Sequence, residues 1–156
     1  MSSHKKRSRL YLGMGLVVLA LCSGRGLHAE TSKAQDQLES IGSLSAAHIY
    51  TSYGYIGVTA DAFIEKAFTA QQVTELMTEV VNMIEINIKS LRKVQDNVSK
   101  DDQDFIDAMI NVYELVNLQA KALIKYVETE KPQDAEAFEK ARTAAWPKLK
   151  VLLGIK

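Results

Sequence analysis

TAQQVTELMTEVVNMIEINIKSLRKVQDNV, residues 69–98, commits the chain to helix. Thr69 followed three positions later by Gln72 fits a capping box: the hydroxyl accepts from an orphan amide and the glutamine side chain answers it. Behind this start apolar residues return every seven positions. Met77, Ile84, Leu91 and Val98 form one row, and Val73, Val80, Asn87 and Val94 form the other. Asn87 alone among these eight is polar. Two such rows make an apolar stripe along a helix of about 70–98, and the stripe needs partner helices to cover it.

The neighbouring segments supply those partners. Downstream, Ser99 caps a third helix over 100–130, with Asp101, Asp102, Asp104 and Asp107 behind the cap. Its rows are Ile106, Tyr113, Ala120, Val127 and Met109, Val116, Leu123, flanked by Ile110 and Ile124. Lys131-Pro132 stops it. Pro132 can open a fourth helix, over 133–153, because its missing amide proton would have no partner there anyway. That helix carries Phe138, Ala141, Ala145, Leu149 and Leu152, and Pro147 inside it predicts a kink or a new start after Trp146. Upstream, a first helix over 32–67 is marked by Leu38, Ile41, Ile49, Ile56 and Phe63. Gly54 to Thr59 is where it is expected to kink or break. Gly42, Ala46 and Gly57 are expected to serve close helix approach. Loops of two to four residues force neighbouring helices antiparallel, which yields an all-α, up-down four-helix bundle.

Charges agree with these ends. Acidic residues open the third and fourth helices. Arg92, Lys93 and Lys100 close the second, and Lys121, Lys125 and Lys131 close the third, as the helix dipole favours. Glu85–Lys89, Asp96–Lys100 and Glu136–Lys140 stand at the spacing of supporting pairs worth a few tenths of a kcal/mol each.

The N-terminus reads as an address. Lys5, Lys6, Arg7 and Arg9 precede an apolar run from Leu10 to Cys22, and a polar stretch follows to Glu30: the order of a secretory signal peptide. The run is about 12 residues, short of the roughly 20 that span a bilayer, so no stable membrane span is expected in the mature form. Cleavage is expected after Ala29, which leaves residues 30–156 as one exported domain, periplasmic or extracellular. A lipid anchor on Cys22 is disfavoured because Leu21 before it is not small. Residues 1–29 hold five basic residues and no acidic one, so the remainder carries 14 basic against 19 acidic residues, a net charge of −5. That balance argues against nucleic acid or an anionic membrane as the main partner. Cys22 is the only cysteine, so the mature part can form no disulfide and no thiolate metal site.

Signatures of chemistry are sparse. The mature part has one histidine, His48, without a nucleophile motif, and no Glu-x-x-His pair for a carboxylate-bridged metal. Asp101, Asp102, Asp104 and Asp107 lack the glycine and distal glutamate of a calcium loop and read as a carboxylate-rich helix start. Asn97-Val98-Ser99 matches a glycosylation acceptor, a three-residue pattern of low specificity. Tyr50, Tyr53 and Tyr55 gather near His48, either as a recognition patch or as ordinary core-edge packing.

Hairpin geometry places His48, Asn87 and Tyr113 at a common height, with Ser45 and Ser52 within a turn. Such a polar layer either fixes helix register or lines a pocket for a small ligand, haem or metal. In shape the expected architecture resembles periplasmic four-helix cytochromes, but no methionine–histidine pair maps onto haem ligation here, and no cofactor is expected. The leading expectation is a non-enzymatic exported bundle that binds an unknown protein partner or has a structural role. A ligand-binding bundle using His48, Asn87 and Tyr113 is the alternative, and an enzyme working through carboxylates comes third.

Overall fold

The computed structural model describes residues 27–155, which form four α-helices and, among the described residues, no strands. These are α1 (Leu27–Ile64), α2 (Ala70–Gln95), α3 (Lys100–Thr129) and α4 (Pro132–Leu152). Nearly all of the expected signal peptide, Cys22 included, lies outside the described residues.

Local chemistry sets the helix starts. Thr69 Oγ1 accepts from the Gln72 amide at 3.2 Å, and Gln72 Oε1 accepts from the Thr69 amide at 2.9 Å, closing the capping box of α2. Ser99 Oγ accepts from the Asp102 amide at 3.3 Å to open α3. Pro132 occupies the first turn of α4. Glu130 ends α3 in the left-handed conformation, with φ of 51°.

Contacts between helices give their directions. From α2 to α3, Glu85 meets Lys121 at 2.8 Å, Arg92 meets Glu114 at 3.1 Å and Gln95 meets Asp107 at 2.6 Å. Numbers rise on one side and fall on the other, so the pair is antiparallel. From α1 to α3, Gly42 lies under Phe105, His48 meets Tyr113, and Phe63 packs edge-on against Tyr126. Here both sets rise together, so the pair is parallel. α4 turns back along α3, with Asp134 held by Lys125 at 3.0 Å and by the Thr129 hydroxyl at 2.7 Å.

α3 is the centre of the packing. It is covered by α2, α4 and α1, whereas α2 and α4 do not touch among the described residues. The cross-section is therefore a diamond, with α1 and α3 across its short diagonal. Ile49, Ile56 and Ala60 of α1 meet Val73, Met77, Val80 and Ile84 of α2 and Phe138, Ala145 and Leu149 of α4 around the buried face of α3. Full burial of an aliphatic side chain of this size contributes about 1.5–3 kcal/mol.

Several sequence expectations need correction. α1 runs unbroken through Gly54–Thr59, and α4 continues past Pro147 to Leu152. α1 and α2 each stop three residues earlier than expected, at Ile64 and Gln95. Glu85 reaches across to Lys121 on α3 and leaves Lys89, and Lys100 pairs forward with Asp104. Neither Asp96–Lys100 nor Glu136–Lys140 is among the ion pairs of the described residues. Gly42 does allow close approach, since a Cβ there would lie 2.8 Å from the Phe105 ring. Gly57 does not, because a Cβ on it would meet nothing within 4 Å.

Candidate functional site

The polar residues singled out in the sequence divide into a pair and an outsider. Tyr113 is buried on α3, and its Oη lies 3.2 Å from His48 Nδ1 and 3.4 Å from the Ser45 carbonyl oxygen. The two rings sit 5.7 Å apart with a 43° tilt. Burial pushes the Tyr113 phenol up to about 12, with the Ser45 side chain acting in the opposite direction, so it stays protonated near neutral pH. Burial also lowers His48 from its ordinary 6.5. Near neutral pH the phenol keeps its proton, and both of its partners belong to α1: the Ser45 carbonyl, which accepts, and His48 Nδ1, whose role follows its tautomer. Asn87 is half-buried on α2 and bonds to neither.

The His48–Tyr113 contact ties α1 to α3 across the short diagonal with each group neutral and paired. Its hydrogen bonds are directional, so they resist sliding of one helix along the other. Among the described residues, no group of three or more His, Cys, Asp or Glu side chains gathers as it would to hold a metal. Asp101, Asp102, Asp104 and Asp107 spread over the exposed start of α3, where Asp104 pairs with Lys100 and Asp107 accepts from Gln95.

Gln119 was not anticipated. It is completely buried on α3, and neither Oε1 nor Nε2 has a hydrogen-bond partner among the described residues. Its signal was present: Phe105, Val112, Gln119 and Tyr126 also recur every seven positions, and Gln119 is the one amide in that row. The nearby Asn117 Oδ1 is likewise buried and unpartnered.

The outer face of α1 is the most unusual surface of the bundle. Residues 40–60, 21 in all, contain no Asp, Glu, Lys or Arg, in a chain that is 24% charged. Within this run Ser40, Ser43, Leu44, Ala47, Tyr50, Thr51, Gly54, Tyr55 and Val58 point away from the core and are all exposed. Leu44 is 73% exposed and Val58 61%. A Cβ on Gly54 would meet nothing within 4 Å among the described residues, so none of them requires glycine there.

The tyrosine cluster divides accordingly. Tyr53 turns sideways and stacks on Trp146 of α4 at 5.4 Å, while Tyr50 and Tyr55 face solvent. Among the described residues no helix is long and apolar enough to cross a membrane. The sequence signal for this face was the gap in charge, which apolar periodicity alone does not reveal.

No protein-family model matches this chain, and no curated protein or solved structure matches it either.

Proposed function

We propose that this chain is an exported, non-enzymatic helical bundle that binds another protein chain through the outer face of α1. One observation carries the reading: an exposed helix face about 30 Å long that holds apolar and small side chains and no charge. Solvent-facing helix positions are ordinarily filled with charged residues, and a contiguous exposed apolar patch marks an interaction site. Tyr50 and Tyr55 add aromatic contact area of the kind that anchors interfaces. Export is supported by the basic and then apolar order of the N-terminus.

Thr51→Glu and Val58→Glu test the reading, since both positions are exposed and each variant plants a charge in the face. The immobilised chain is expected to retain its partner, and each variant to lose it while keeping the helical signal and melting temperature of the parent. Retention unchanged by both variants would refute a role for this face.

A further inference from the structure

We infer that the chain on this face is a second copy of the same protein, with the two α1 helices packed antiparallel about a two-fold axis near Ile49. The inference rests on the reading of α1 as a binding surface and adds the identity and register of the partner.

Charge is the first argument. A two-fold contact repeats every unpaired charge near its centre on both copies and sets them against each other. From Ser40 to Val58 the face holds none. A different partner could answer a charge near the centre with its opposite, whereas a two-fold pair cannot.

Relief is the second. With the axis near Ile49, Leu44 of one copy comes level with Gly54 of the other, Tyr55 with Ser43, Val58 with Ser40, and Thr51 with Ala47. Away from the axis each bulky side chain meets a small one, while Tyr50, one residue from the axis, comes beside Tyr50 of the second copy. A parallel pair would set Leu44 on Leu44 and Val58 on Val58. Gly54 also acquires a reason. Glycine weakens an exposed helix position and no described residue comes within 4 Å of a Cβ there, but the missing Cβ leaves a notch for Leu44 of the second copy.

The ends of the face give the third. In the antiparallel register Lys33 comes level with Glu65 of the second copy, and symmetry makes this pair twice. Both residues are exposed: Lys33 lies on the outer side of α1, and Glu65 lies in the turn directly after Ile64, where its amide still donates to the Asp61 carbonyl. The parallel arrangement would oppose lysine to lysine and glutamate to glutamate. The nine outward residues supply roughly 500 Å² per copy, about 1,000 Å² in total, at the lower limit for a specific interface, so micromolar association is expected.

Sedimentation equilibrium on the purified chain from about 1 to 200 µM tests this, because the range brackets a micromolar constant. The parent is expected to dimerise. Thr51→Glu should weaken the dimer at least tenfold, and Lys33→Glu and Glu65→Lys should each weaken it several-fold. The double variant K33E/E65K, which exchanges the charges, should recover most of the parental association. Three results would overturn the inference: a parent monomeric throughout, a dimer indifferent to Thr51→Glu, or single charge reversals that the exchange does not repair. If the chain stays monomeric but retains a different protein in a Thr51-dependent way, the second copy is excluded while the binding face stands. If Thr51→Glu changes neither retention nor association, both readings fall.

Discussion

Two alanine substitutions on one helix should move stability in different directions. Gly54 and Gly42 both lie inside α1, where alanine is better than glycine by about 0.8–1 kcal/mol. At Gly54 the new methyl meets nothing within 4 Å, so the whole gain should appear. At Gly42 it would lie 2.8 Å from two ring atoms of Phe105. Relief requires the ring of Phe105, 42% exposed, to swing outward from its place over Gly42. Overpacking of this sort costs about 1–3 kcal/mol, which cancels or exceeds the gain in helix propensity.

The expected difference between the two variants is therefore about 1–3 kcal/mol. For a domain of this size, 1 kcal/mol shifts the melting temperature by roughly 3–5 °C. Urea and thermal melts at submicromolar concentration, below the expected dimer constant so that two copies are mostly apart, provide the comparison. Gly54→Ala should melt higher than the parent, and Gly42→Ala level with it or lower. If Gly54→Ala is destabilising at that dilution, something within the chain packs against that position, and the reasoning about α1 fails.

Other consequences can be checked by similar means. Replacing Gln119 with Met removes two buried polar atoms without partners at nearly constant volume and should raise stability by about 1 kcal/mol in a urea melt; a loss of that size would mean the amide is satisfied in solution. Thr69→Ala removes the hydroxyl that caps α2 and should cost about 1 kcal/mol, while Thr69→Asn should retain most of it. Stability should also be flat between about pH 6.5 and 10 so far as His48 and Tyr113 are concerned. Below that window the unfolded chain binds a proton at His48 more readily than the folded one, so stability falls with pH. Above it the unfolded Tyr113 ionises while the folded phenol holds its proton up to about 12, so stability falls as pH rises. Denaturant melts of His48→Gln and Tyr113→Phe across pH should each flatten the matching limb.

The parts of the fold legible in the sequence were those written in local chemistry. A hydroxyl before α2, another before α3 and a proline at the start of α4 need only nearby backbone to act, and each is found doing so. What depends on neighbours was harder to read. Gly54 and Gly57 suggest a break when α1 is considered alone, yet Ile49, Ile56 and Ala60 on its inner side pack into the core and carry the helix through. Asn87 sits in a heptad row that a square bundle would bury. Val73 and Val80 of that row are buried, but toward its C-terminal half Asn87 and Val94 are only half-buried, and Asn87 stays apart from the His48–Tyr113 pair. The charge pairs followed the same rule: sequence spacing favours Glu85 with Lys89, but α3 brings Lys121 closer.

The central claim is that α1 offers a charge-free outer face to a second copy of the chain. Amide hydrogen exchange measured across a concentration series tests it most directly. Amides of residues 43–58 should gain protection as the protein is concentrated, with those of α2, α3 and α4 unchanged. Protection in that segment that does not vary with concentration, or that rises equally in all four helices, would contradict it.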